Sequence, residues 1–264
     1  AAAVGVDGQL AHLRADALDD NLVAALRRSH VKTATIAPDA GSERMRRVIN
    51  KGIDEAAVLR AAGLLVANGI PNLKLYFMIG LPTETEEDIQ AIVALCRQIK
   101  SVFLDASRQQ KRIGTITVHA NAFIPKPVTP FQWEAMDTVA ALQAKARILR
   151  NGLKTIANVR FQMGKIRDGY VQAILSRGDR RVADLLLQRH HSGGNWSQAL
   201  KQSSLDTAAY VTRQRDRGAI LPWDFIQTGI SKNFLWHDYQ KALQARLTPP
   251  CPPAGCTRCG ACPA

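Results

Sequence analysis

The sequence predicts an α/β protein: a parallel sheet with its helices, then a mainly helical C-terminal region. Three observations carry this. Across the first 163 positions, short β-forming runs alternate with longer helical patterns, and strand–loop–helix repeats of about 40 residues imply right-handed parallel crossovers. The run Leu73–Ile79 is apolar and too short for a globular helix; it reads as a strand buried on both faces, the habit of a parallel sheet. Beyond Met163 the strand signals stop, and helical patterns separated by Gly, Ser and Asn breaks take over. Only three or four strands are present, so a closed eight-stranded barrel does not fit, and the pattern is that of part of a barrel or an open sheet.

In order along the chain, Leu18–Ser29 is a short amphipathic helix, opened by Asp19 or Asp20 and closed by Arg27 and Arg28 in agreement with the helix dipole. Val31–Ala37 alternates and is β-branched, so it reads as a strand. The turn from Pro38 to Ser42 follows. Ser42 caps a basic helix that Gly52 closes, and Asp54 caps the next, Glu55–Asn68, which Gly69 and Pro71 end. After Leu73–Ile79, Gly80-Leu81-Pro82-Thr83 breaks the strand: Gly80 lets backbone approach a ligand closely, and Pro82 cannot donate to a ladder. Thr85 with Asp88 is a loose capping box for an acid-led helix running to about Val102. In such βα units ligands sit at the carboxyl end of the strand, here Ile79-Gly80.

Ser107–Gly114 is a charged loop and Thr115–Ala122 a strand. Pro125, Pro127 and Pro130 keep the next segment extended. Glu134–Asn151 reads as a helix closed by Gly152, and Leu153–Met163 contains a last strand. Helices are then expected at Arg167–Ser176, Asp179–His191, Trp196–Gln202, Asp206–Arg217 and Lys232–Gln244, and Thr248–Pro253 forms a proline-rich arm. The division is therefore 1–163 for the sheet region, 164–247 for the helical region and 248–264 for the arm and its cysteine tail.

With 264 residues, 46% hydrophobic, the chain can bury one large core or two modest ones. No apolar run reaches membrane-span length, and the opening AAAVGVDGQL has neither a secretory signal nor an initiator Met. That opening suits a piece of a longer polypeptide. The 35 Lys and Arg against 22 acids give +13, which favours polyanionic partners, RNA above all, although the basic residues are spread along the chain and form no recognition motif.

Four of the five cysteines, Cys251, Cys256, Cys259 and Cys262, fall within the last 14 residues, spaced C-x4-C-x2-C-x2-C. Clustering at one end points to a metal or cluster in a reducing cytoplasm, not to disulfides spread through a fold. Soft thiolates suit zinc or iron–sulfur, and the first three also match plant-type two-iron spacing. Gly255, Gly260, Pro252 and Pro253 suit a loop wrapped around such a group. Cys96, amid Val93, Leu95 and Ile99, reads as a buried structural thiol. His190 and His191 are about 100° apart on a helix and form no bidentate site. His119 reads as a core or barrel-lining histidine. Asp39, Ser42 and Glu43 surround a strand end and helix start, and capping competes with hydrogen bonding to a ligand's hydroxyls. No hydrolase elbow, Walker or dinucleotide motif is present.

TIAPDAGSERMRRVINKGI, LKLYFMIGLPTETEEDI and NAFIPKPVTPFQWEAM resemble the later strands of the radical S-adenosylmethionine superfamily, with closest similarity to its cobalamin-binding-domain subgroup of Fe–S oxidoreductases. ILSRGDRRVADLL, LPWDFIQTGISKNFLWHDY and the terminal CxxCGxC resemble that subgroup's C-terminal region. The resemblance implies a partial (βα)6 TIM-like barrel holding a [4Fe–4S] cluster and S-adenosylmethionine, with cobalamin in a separate upstream domain. It further implies reductive cleavage of S-adenosylmethionine and radical modification of a substrate. By position, Ile79 and Gly80 match the fifth-strand motif that packs on adenine. Asp39 and Ser42 match the fourth-strand region that meets the ribose or the amino-acid end. Asp39 stands where related sequences more often carry Glu. The family's CxxxCxxC does not occur in these residues, so the resemblance implies a C-terminal portion, inactive without the N-terminal half of the same polypeptide. The tail cysteines then hold an auxiliary cluster or zinc. A second reading is a basic RNA-binding module with a four-cysteine zinc knuckle.

Overall fold

The computed structural model describes residues 13–111, 113–252 and 256–262; the opening segment, Pro253 and Gly255 lie outside them. Four parallel strands, β1 (Thr33–Asp39), β2 (Asn72–Ile79), β3 (Ile116–Ala122) and β4 (Val159–Met163), lie side by side in sequence order. Each crossover carries helix: α2 (Glu43–Val48) and α3 (Glu55–Ala67), then α4 (Glu86–Gln110), then α5 (Val139–Lys154). α3 packs on α4 and α4 on α5. Sequential parallel order with helices on one side is the arc of a (βα) barrel, as the sequence predicts. α1 (Asp20–Arg28) precedes β1. α6 (Ile166–Arg177), α7 (Val182–His191), α8 (Trp196–Gln202), α9 (Thr207–Val211) and α10 (Lys232–Leu243) follow the sheet.

The predicted caps form at Asp19, Ser42 and Asp54, which accept from the amides of Leu22, Met45 and Ala57, satisfying donors that a helix start leaves open; Thr138, not foreseen as a cap, accepts likewise from Ala141. The main core gathers Leu73, Leu75, Phe77 and Ile79 with Ile116, Val118 and Ala120 beneath the helices. Each large member contributes roughly 1.5–3 kcal/mol of burial. Ala173, Ile174, Val182 and Leu185 of the later helices share this core. A smaller aromatic cluster joins Trp133 to Leu221, Trp223, Leu235 and Tyr239.

Several expectations need correction. β2 is not buried on both faces: its burial alternates, with Lys74, Tyr76 and Met78 only half-buried, because α3, α4 and α5 cover one face of the sheet. α4 runs on to Gln110, where Lys111 at φ 50° ends it. α5 starts at Val139, not Glu134, because Pro130–Trp133 forms a 3-10 turn and the Glu134 stretch is committed elsewhere. The Glu134 carbonyl accepts from Arg177, its carboxylate from Tyr239, and the Met136 amide donates to the Val211 carbonyl. The helix expected over Asp206–Arg217 stops at Val211, since the Tyr210 and Arg213 carbonyls accept from the wholly buried Arg177 and the Arg215 amide donates to Trp133.

Candidate functional site

The carboxyl ends of β1 and β2 lie side by side, and the turns that leave them are held by two separate polar networks. At the β1 tip, Asp39 adopts φ 63° and pairs with Lys51 at 2.5 Å. A left-handed non-glycine residue costs about 1–3 kcal/mol and persists only where its surroundings impose it. Two residues on, a Cβ at Gly41 would sit 2.2 Å from the Ile92 nitrogen in α4; only glycine permits that approach. The wholly buried Arg46 donates from Nη1 to the Ala40 and Gly41 carbonyls and from Nε to Ile53. Burial pulls its pKa down, against the nearby carboxylates of Glu43, Glu55 and Asp54.

Ser42 both caps α2 and donates to Asp88 Oδ1 at 2.6 Å. Asp88 is the hub between the two tips. It accepts from Ser42, from Arg44, and from the Thr85 amide and hydroxyl at 2.9 and 3.0 Å. Burial pushes its carboxyl up, but these donors outweigh burial and hold it below the ordinary range. Arg44 also reaches the Thr83 carbonyl at 2.8 Å.

At the β2 tip, Gly80 has φ +81°, and its amide donates to Glu84 Oε2 at 2.6 Å. The Glu84 side chain is 2% exposed and pairs with Lys145 at 2.8 Å; Lys145 also meets Asp137 at 2.7 Å. Burial pushes the Glu84 carboxyl up against the opposing pull of Lys145 and Gly80. Burial also works to lower Lys145, but its two carboxylates win and raise it. A Cβ on Gly80 would meet Leu142 and Asp137 at 2.9 and 3.2 Å. Ile79 is wholly buried among the core residues. Its side chain packs with Leu73, Leu75 and Phe77.

The open face of the sheet carries a row of half-buried or exposed, mostly polar side chains. The register sets Lys74 beside Thr117, Tyr76 beside His119 and Met78 beside Asn121, and continues to Arg160 and Gln162 on β4. The Tyr76 and His119 rings stack at 5.1 Å. Burial, then Lys74, lowers the His119 pKa. Next to this face, a cavity of about 360 Å³ lies at the ends of β3 and β4, lined by Asn121, Gly164, Lys165 and Gln172.

The cysteine tail forms a second locality. Cys251 and Cys262 are exposed and Cys256 and Cys259 half-buried. The Arg258 amide and Nε donate to Cys256 Sγ at 3.4 and 3.3 Å, and Ala261 donates to Cys259 Sγ at 3.5 Å. Arg258 draws the Cys256 thiol below its usual value. Among the described residues no three His, Cys, Asp or Glu are gathered to hold a metal ion. Cys96 is wholly buried in α4, and burial pushes its thiol up to about 12, as expected of a structural cysteine.

Residues 11–96, which include both tips, match the model of the radical SAM superfamily. A radical SAM superfamily domain is present. An uncharacterized protein of Methanocaldococcus jannaschii is 34% identical over 215 residues, which cover 81% of this chain and 44% of that protein. The chain thus spans less than half the length of this relative. No solved structure matches. Among the described residues no helix is long and apolar enough to cross a membrane.

Radical SAM enzymes in general use S-adenosylmethionine and a [4Fe–4S] cluster held by three thiolates. The thiols here do not fit that cluster: one is sealed in α4, and the other four lack C-x3-C-x2-C spacing. The tips do offer a ligand polar groups, the Asp39 carboxylate and the Ser42 hydroxyl, both half-buried. The radical SAM reading of the sequence missed the Glu84–Lys145–Asp137 group and took Asp88 for a cap alone. Asp88 carried a signal, an acid three residues after Thr85, whereas nothing local to Lys145 shows that it would reach Glu84.

Proposed function

We propose that this chain is the C-terminal portion of a radical S-adenosylmethionine enzyme, with the tips of β1 and β2 receiving S-adenosylmethionine and the open sheet face receiving the substrate. The observation that carries this is the pair of rigid, adjacent tip turns beside a polar open face, inside the matched segment. In this reading Asp39 and Ser42 hydrogen-bond the ribose or the amino-acid end, and the Gly80 turn brings backbone against the adenine. Ile79 supports that turn from the core. Lys51 orients Asp39, Asp88 orients Ser42, and Glu84 fixes the Gly80 amide. Tyr76, Met78, His119 and Asn121 line the place where a substrate would lie. The radical-generating cluster and any cobalamin-binding domain belong to the N-terminal half of the polypeptide, and no chemical step is assigned to residues here.

Titration calorimetry with S-adenosylmethionine on the longer polypeptide, reconstituted anaerobically, tests the reading. Asp39→Ala is expected to weaken binding about tenfold, the scale of one hydrogen bond to a charged group. An unchanged dissociation constant with an intact circular dichroism spectrum would remove Asp39 from the site. Release of 5′-deoxyadenosine under reduction is expected from the longer polypeptide and absent from the 264 residues alone.

A further inference from the structure

We propose that the helical region holds a second ligand site, a cavity at the starts of α7 and α9 that takes a small nucleoside phosphate. The cavity has about 420 Å³. Its wall includes Asp179 and Arg181 before α7, Asp206 and Tyr210 at α9, and Arg213 and Arg215 in the loop that follows. Small-molecule sites commonly have volumes of about 300–1,000 Å³. The cavity lies outside the segment that matches the radical SAM superfamily, and the proposal does not rest on the reading of the strand tips.

The wall carries positive charge that the protein does not itself neutralise. Three guanidiniums face two carboxylates, and both carboxylates are engaged. Asp179 pairs with Arg181 at 2.6 Å, and Asp206 caps α9 by accepting from the Ala209 amide at 3.1 Å. Among the described residues no acid forms an ion pair with Arg213 or Arg215. Arg215 is nonetheless held in place: Nη2 donates to the Arg177 carbonyl, and its guanidinium lies 5.2 Å from the centre of the Trp223 ring. Its Nη1 is shut off from solvent with no hydrogen-bond partner among the described residues, an exception that buried polar groups rarely show. Behind it, the wholly buried Arg177 donates to carbonyls, those of Tyr210, Glu134 and Arg213. Burial, then the charge of Arg213, pulls the Arg215 pKa down, and burial, then Arg215, does the same to Arg177. Like charges are crowded here, and an anion relieves the crowding. Phosphate suits it, because guanidinium forks match phosphate oxygens in pairs.

The organic part has a place beside the phosphate. An adjoining cavity of about 510 Å³ shares Asp179, Arg181 and Pro222 with the first and adds Arg180 and Phe225. Phe225 is 84% exposed. An aromatic face next to clustered arginines can stack a base while the arginines hold its phosphate. The phosphate therefore lies on Arg213 and Arg215 and the base against Phe225. The concave wall, and the scatter of the remaining basic residues along the chain, favour a small nucleotide over a long RNA strand.

Titration calorimetry of the 264-residue chain with uridine 5′-monophosphate, which shares no base with S-adenosylmethionine, tests the site. Saturable binding with a dissociation constant below about 1 mM is expected, with uridine at least about tenfold weaker. Arg213→Ala should weaken the nucleotide about tenfold. It should leave the urea midpoint unchanged, since the side chain is exposed and only the Arg213 carbonyl holds Arg177. Phe225→Ala should remove the advantage of uridine monophosphate over inorganic phosphate. Asp39→Ala should leave all of this binding intact, so failure here and failure at the strand tips are told apart. No saturation, uridine binding as well as its monophosphate, or affinity unmoved by Arg213→Ala would each overturn the proposal. An oligouridylate that binds more than about a hundredfold tighter than the mononucleotide, with steep salt dependence, would replace it with an RNA site.

Discussion

The strand tips and the cysteine tail are two sites built in opposite ways. At the tips every key group is already held: Asp88 by Ser42, Arg44 and Thr85, the Gly80 amide by Glu84, Asp39 by Lys51. Side chains in that network are largely buried, so a ligand arriving there meets a preformed surface and spends little binding energy on ordering it. The tail is fixed by a handful of backbone bonds to α10 and Asn50, and its thiols stand around a cavity without converging. The tips are ordered by side-chain bonds of the fold itself, whereas the tail is held chiefly through its backbone.

That contrast is broken most directly at Gly41. Gly41→Ala places a methyl 2.2 Å from the Ile92 nitrogen and 2.6 Å from the Ala91 carbonyl carbon, so α4 must move, at a cost of about 3 kcal/mol or more. Urea denaturation measures it, and a loss under about 0.5 kcal/mol would show that the tip is looser than its contacts indicate. Gly80→Ala, with its left-handed φ and the contacts to Leu142 and Asp137, should cost about 2–3 kcal/mol.

Asp88→Asn should cost about 1–3 kcal/mol, because it strips charge-assisted bonds from Arg44 and Ser42. It should also alter the pH profile. The folded-state pKa of Asp88 is lowered, so its stabilisation is present above the ordinary carboxylate range and lost as pH falls below it. The asparagine variant should lose that acid dependence. Glu84 works in the other direction. Its folded pKa is raised, so its contribution favours the folded state at low pH and declines as pH rises past the ordinary carboxylate value. Glu84→Gln should flatten that decline, as followed by denaturation midpoints across pH 3 to 8. The smallest effect belongs to the tail: in the metal-free chain, Cys256→Ser with Cys259→Ser should shift stability by less than about 0.5 kcal/mol, as expected for half-buried side chains outside the core. A larger loss would mean that the tail is structured without its ligand.

Much of the fold was legible in the sequence because its cues are local. Ser42, Asp54 and Asp19 announced their helices, and the Leu73–Ile79 run announced its strand. The misreadings share one cause. Glu134 and Arg213 sit in stretches with helical composition, yet their carbonyls accept from Arg177, a partner 43 and 36 residues away, and buried bonds of that kind outweigh a few tenths of a kcal/mol of propensity. The burial of β2 on both faces was misread for a similar reason. An apolar run does not say which residues of a strand face the helices and which face outward, and Ile79 shares the covered face with Leu73, Leu75 and Phe77.

By itself the sequence determined the parallel α/β order, the caps, the turn at Gly80 and the thiols available to a metal, because each follows from residue type and spacing within a few turns of chain. Only the tertiary structure decided that Asp88 bridges two strand tips, that Glu84, paired with Lys145, holds the Gly80 amide, and that the cysteine arm is tied to the residue beside Lys51. Those facts depend on which distant side chains share a buried volume, where few donors and acceptors are in reach and each must find a partner.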